Sequence, residues 1–210
     1  MLSISFDNYD TSILNTQTQF HRQLPTGKAF IQVAENGDNS IVLDAGANGR
    51  IYDLPPTSYA HPACEFGGYS HVVCQNEIPY AATVKTLRTA RSRAATTIFN
   101  PSPMLTRAQI RKMDWDSVDY LVLNEGEADE LLRMIEEQYR WEDDHDDESQ
   151  IRPPLKGFAR FRQIGLKTST IIVTKGSEGA DVLIGDEILN FPLKVEVNVA
   201  DTTGAGDCFV

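Results

Sequence analysis

From residue 70 onward the chain alternates short β-rich runs with helix-length segments, and no other feature restricts the fold as much. His71–Cys74 reads as a strand, followed by a helix over 79–93 with Ala82, Leu87 and Ala90 among its apolar positions. The pattern then repeats. Strand Ala95–Phe99 leads to helix Arg107–Met113, and strand Tyr120–Leu123 to helix Glu127–Tyr139, whose Leu131, Leu132 and Ile135 share one face. A further helix over Leu155–Ile164 precedes a strand at Thr170–Val173, and Asp181–Ile184 and Ile188–Phe191 add strands beyond Gly179. Strands separated by helix-length segments imply parallel βαβ units. The expected fold is therefore α/β, a three-layer α/β/α sandwich with a mostly parallel central sheet.

The front of the chain differs. Lys28–Val33 and Ser40–Leu43 are β-rich runs joined through Glu35-Asn36-Gly37-Asp38, and Asn-Gly marks a hairpin because both positions tolerate positive φ. Residues 45–69 are punctuated by Gly46, Gly49, Pro55, Pro56, Gly67 and Gly68 and read as loop. Residues 141–150 form an acidic block without the glycine or ligand spacing of a calcium loop, which predicts a solvated, mobile segment over 140–152.

Composition excludes several function classes. A net charge of −11 repels a phosphate backbone, so nucleic acid is not the expected partner. Apolar runs such as Ile171-Ile172-Val173 are far too short to span a bilayer, and the first residues lack the basic start and apolar run of a signal peptide. Three scattered cysteines, Cys64, Cys74 and Cys208, suit a reduced cytoplasmic protein; the nucleus is compatible too. His61 with Cys64 and His71 with Cys74 mimic metal-ligand pairs, but His71 and Cys74 lie on an expected strand, where residues three apart face opposite sides.

Each apolar strand ends in polar residues: Gln75-Asn76-Glu77, Asn100-Pro101-Ser102-Pro103, Asn124-Glu125-Gly126-Glu127 and Thr174-Lys175-Gly176-Ser177. In open α/β sheets the carboxyl ends of the strands line one crevice, the usual ligand site. Each set also has a local explanation. Asn124 with Glu127 makes a helix cap with its capping-box partner, Asn100-Pro101 a rigid turn, Lys175-Gly176 a hairpin turn, and Glu77 an exposed strand-end acid. At the C-terminus, Asp201-Thr202-Thr203-Gly204-Ala205-Gly206-Asp207 is either a Gly-containing turn capped by an acid or an anion-binding turn beside a proton acceptor. The second arrangement is that of a phosphotransferase.

With these residues quoted, the chain resembles the ribokinase family of sugar kinases, the PfkB carbohydrate kinases. Asp201–Phe209 is similar to the family's C-terminal signature, Asn124-Glu125-Gly126-Glu127 to its Asn-x-x-Glu segment, and Thr174–Gly179 to its nucleotide loop. Thr26–Ala29, Asn39–Ile41, Ala45–Asn48, Glu77 and Asn100–Pro103 extend the likeness, so that it runs from about residue 6 to the end with only the acidic block as an insertion. The resemblance implies transfer of the γ-phosphate of ATP to a sugar hydroxymethyl, O5 of D-ribose. It makes Asp207 the base and Gly204, Ala205 and Gly206 the anion hole, with Glu77 and Asp207 on the sugar. Asn124, Thr174, Lys175, Gly176, Ser177, Glu178, Gly179, Gly206 and Asp207 would hold ATP, and Glu127 would act near Mg²⁺. Asp201 and the carbonyl of Thr203 would bind a monovalent cation, K⁺. Residues 1–50 would form part of a β lid and 51–210 part of the nucleotide- and sugar-binding core, with a homodimer formed through the lid.

The family's first strands, its Gly-Gly sugar segment and the residues after Phe209-Val210 have no counterpart here. The chain is accordingly expected to be a truncated form, weakly active or inactive by itself. The second expectation, from a different class, is a non-catalytic kinase-like binding protein. Among enzymes the alternative substrates are another sugar or a nucleoside, such as fructose or adenosine.

Overall fold

The computed structural model describes residues 23–33, 39–50, 69–138, 166, 169–194 and 204–210. Strands β1 (Lys28–Val33) and β2 (Asn39–Asp44) pair antiparallel, Phe30 opposite Val42 and Ile31 opposite Ile41. The hairpin is therefore present, with its connecting turn at 34–38 outside the described residues. A 3-10 turn at Gly46–Arg50 follows where the sequence reads only as loop. Gly46 (φ +49°) packs against Gly27, where an added Cβ would lie 2.8 Å from Ala45 O. This close backbone approach fixes the base of the hairpin.

Six strands make the main sheet in sequence order: β3 (His71–Cys74), β4 (Thr96–Phe99), β5 (Tyr120–Asn124), β6 (Thr170–Thr174), β7 (Ala180–Ile184) and β8 (Glu187–Phe191). β3 to β6 run parallel, and β7 and β8 turn back antiparallel. Between β3 and β4 lies α1 (Tyr80–Ser92), and between β4 and β5 lies α2 (Arg107–Lys112). α3 (Glu125–Gln138) follows β5, and α4 (Ala205–Phe209) ends the chain. Strand and helix limits fall within two residues of the sequence expectation. At its N-terminus the α2 helix is closed by a capping box between Thr106 and Gln109. The helix expected at 155–164 and the acidic block lie outside the described residues.

Alternation along the strands divides the sheet into two faces. Phe99, Leu121, Leu123, Ile171, Val173 and Leu183 point to one face, where they pack with Val84 and Leu87 of α1, Ile110 of α2, and Ala128, Leu131, Leu132 and Ile135 of α3. All of these are buried, and this layer is the core. At roughly 25 cal/mol per Å² of apolar area removed from water, it is the main favourable term in folding. On the opposite face Val73, Tyr120 and Ile184 are exposed. Polar groups tie the amino ends of the strands together: the buried Thr97 Oγ1 donates to Ser117 O, and the partly exposed Asp119 accepts from Thr97 N and pairs with Arg91.

Candidate active site at the strand carboxyl ends

Because β3 to β6 are parallel, the segments that follow them emerge along one edge of the sheet. Hydrogen bonds join these segments. Asn100 N donates to Cys74 O at 2.9 Å, and the buried Asn100 side-chain amide donates to Val122 O at 2.9 Å, so this one residue, at the end of β4, ties to both β3 and β5. Asn76 N donates to Ser102 O at 3.0 Å and its amide to Pro103 O at 2.7 Å, beside a cis Ser102–Pro103 bond. These contacts account for polar side chains at this edge, where backbone groups would otherwise lack partners. Glu77 follows them, exposed, ahead of α1.

Asn124 and Glu127 do form the expected capping box. Glu127 N donates to Asn124 Oδ1 at 2.8 Å, and Asn124 N donates to Glu127 Oε2 at 3.0 Å. One carboxylate oxygen of Glu127 is thereby committed to the helix terminus. The other makes no hydrogen bond within the described residues, and such an oxygen suits a hydrated hard cation.

Thr174 donates weakly to Leu123 O at 3.4 Å and opens the loop Lys175–Gly179, which reverses the chain into β7. Lys175-Gly176 is thus part of a hairpin turn, as one of the two readings had it. Lys175 N donates to Gly179 O at 2.8 Å, and Gly179 sits at φ +93°, where an added Cβ would lie 2.0 Å from Phe191 O. Only glycine fits there. Gly176, Ser177 and Glu178 form an exposed 3-10 turn.

The Lys175 side chain turns back under this loop. Its Nζ lies 2.9 Å from Asp181 Oδ2, and Asn190 donates to Asp181 Oδ1 at 2.6 Å. Asp181 is 4% exposed, and both its oxygens are satisfied. A small cleft between α3 and the sheet is lined by Glu125, Asp129, Leu132, Val173, Lys175 and Asp181. Neither Asp181 nor Asn190 is singled out by sequence. The available signal is an Asp within an apolar strand, six residues past a Lys across a glycine turn.

The C-terminal motif reaches the same edge. Gly204 (φ +75°) starts α4, Cys208 N donates to Gly204 O at 3.0 Å, and Val210 N to Gly206 O at 3.2 Å. Ala205, Gly206 and Asp207 are exposed. Gln75, just past β3, donates from Nε2 to Asp207 Oδ1 at 2.8 Å. Sequence places Gln75 among the polar residues that end a strand but gives no sign of this contact, because its partner is distant in the chain. Asp201 and Thr203 lie outside the described residues.

Cys74 is half-buried beside Val72, Ala90 and Ala95, and burial pushes its thiol up to about 11. His71 and Cys74 point to opposite faces of β3. Among the described residues no group of three His, Cys, Asp or Glu side chains could hold a metal, and no helix is long and apolar enough to cross a membrane.

A mostly parallel α/β sheet with polar loops gathered at its carboxyl edge defines the class: an α/β protein of open-sheet type, in which that edge is the usual place for a ligand. Comparison supplies the family. The model of the pfkB family carbohydrate kinases matches residues 8–210, and the chain belongs to that family. It is 29% identical to the ribokinase of Staphylococcus aureus over 188 residues, 88% of this chain and 54% of that protein. A crystal structure of ribokinase from Cryptococcus neoformans in complex with ADP superposes with TM-score 0.71 at 34% identity, covering 90% of this chain and 58% of the other. A Burkholderia thailandensis nucleoside kinase in complex with inosine shares the fold, with TM-score 0.62 at 18% identity. The chain spans little more than half the length of these relatives.

Proposed function

We propose that the chain carries the nucleotide loop and catalytic base of an ATP-dependent sugar kinase that phosphorylates the 5-hydroxyl of D-ribose. What supports this most is that the Gly204–Asp207 turn and the loops after β3 to β6 lie at one edge, joined by the hydrogen bond from Gln75 to Asp207. The ribokinase relatives support ribose. Asp207 accepts the proton of O5 as O5 attacks the γ-phosphorus and the bond to the β-bridging oxygen breaks, giving ribose 5-phosphate and ADP. Main-chain N–H groups of Gly204, Ala205 and Gly206 offset the charge that gathers on the transferring group. Glu77 orients the sugar. Asn124, Thr174 and the Lys175–Gly179 loop hold the nucleotide, with Gly206 and Asp207 beside its terminal phosphate.

Mg²⁺, when bound, neutralises the phosphate oxygens, and Glu127 would hold its waters through the oxygen not used in the cap. K⁺ at Asp201 and Thr203 is carried by the resemblance alone. Ile31, Val33, Ile41 and Leu43 share one face of the hairpin and are all exposed, which favours a second copy as a partner through the lid. Nothing about the site calls for a membrane or nucleic acid, and a cytoplasmic setting fits the free thiols Cys74 and Cys208.

The test is thermal unfolding of the 210-residue chain with ATP, then with ribose, fructose or adenosine. A ligand that binds the folded state raises its stability. A rise with ATP and selectively with ribose is expected. A rise with adenosine or fructose instead reassigns the substrate. Binding with no phosphoryl transfer supports the non-catalytic alternative, and no response to any of them refutes the proposal.

A further inference from the structure

We propose that Gln75 is the positioning residue of Asp207, holding one carboxylate oxygen so that the other faces the substrate hydroxyl; this rests on the kinase reading above. The bond joins residues 132 apart in sequence, from Gln75 Nε2 to Asp207 Oδ1 at 2.8 Å. Its two ends differ in rigidity. Backbone groups on either side of Gln75 are fixed, because Cys74 O accepts from Asn100 N and Asn76 N donates to Ser102 O. Asp207 instead sits on a five-residue helix whose residues Ala205–Phe209 are all exposed. Such a short helix has little intrinsic stability and gains its orientation from tertiary contacts.

A base works only when its free oxygen is within hydrogen-bond reach of the proton it takes. An amide donor on Oδ1 restricts rotation of the carboxyl group and leaves Oδ2 to accept that proton. Gln75 itself touches no reacting atom and transfers no proton. It acts through Asp207.

Gln75→Met keeps the length and shape of the side chain and removes the donor. Gamma-labelled ATP and ribose are supplied to the 210-residue chain at high enzyme concentration, so that weak turnover is measurable. With misplacement of a catalytic group as the guide, Gln75→Met is expected to lower kcat about 10- to 100-fold while each KM and the melting temperature change little. Gln75→Glu, which sets a second carboxylate against Asp207, is expected to lower kcat further. In a chain carrying ¹³C-labelled aspartate, the side-chain carboxyl resonance that Asp207→Asn abolishes is expected to move in Gln75→Met.

Unchanged kcat in Gln75→Met, or an unmoved Asp207 resonance, overturns the inference and leaves the kinase proposal standing. A parallel fall in melting temperature and rise in both KM values also overturns it, by making Gln75 merely structural. Turnover retained in Asp207→Asn, or absent from the unaltered chain, overturns the kinase proposal itself.

Discussion

Replacing Lys175 with methionine separates two roles for this side chain: a contact to nucleotide phosphate, and a counter-charge for Asp181. The ammonium lies 2.9 Å from Asp181 Oδ2, with the two side chains 14% and 6% exposed. Removing one partner of a buried pair costs about 3–5 kcal/mol, because the remaining charge loses its compensation. Asn190 still donates to Asp181 Oδ1, and Lys175 is not fully buried, so a value near the lower end, about 3 kcal/mol, is expected. Urea unfolding of the unaltered chain, Lys175→Met, Asp181→Leu and the double variant completes a thermodynamic cycle. The double variant should recover most of the loss, with a coupling of about 2 kcal/mol or more, since apolar replacement of a whole buried pair is often neutral. A cost below about 1 kcal/mol for Lys175→Met, the range of exposed pairs, would refute the counter-charge. A loss of ATP affinity without loss of stability would make Lys175 a phosphate contact instead.

Two further outcomes follow from the same region. Gly179→Ala should destabilise by at least about 2 kcal/mol in urea unfolding, since a Cβ at φ +93° would meet Phe191 O at 2.0 Å. Stability should also fall as pH rises from about 9 to about 11. The unfolded Cys74 thiol ionises near 9.0 and the buried one only near 11, so over that interval the unfolded chain releases its proton first. The loss approaches about 2–3 kcal/mol, and thermal unfolding of Cys74→Ala across this range should show it reduced.

The course of β3 to β8 was legible because each strand is a short apolar run bounded by turn formers, and the helices between them carry apolar residues on one face. Parallel pairing followed from segment lengths too long for hairpins, and the reversal at Lys175-Gly176 from a glycine turn too short for a helix. The Asn124–Glu127 box was legible because its partners are three residues apart. What escaped was tertiary. Asp181 and Asn190 meet only through β7–β8 register, where they are cross-strand partners, and Gln75 meets Asp207 only once the whole sheet has formed. Likewise Asn100, read as a turn residue, bridges strands through an amide buried by the finished fold.

The most direct test is transfer of labelled γ-phosphate from ATP to ribose by the 210-residue chain and by its Asp207→Asn variant, compared at equal nucleotide occupancy. With Asp207 as the general base, the variant should be slower by about 10²–10⁴-fold, with folding and ATP binding retained. Near-normal transfer by Asp207→Asn would contradict the assignment of the base.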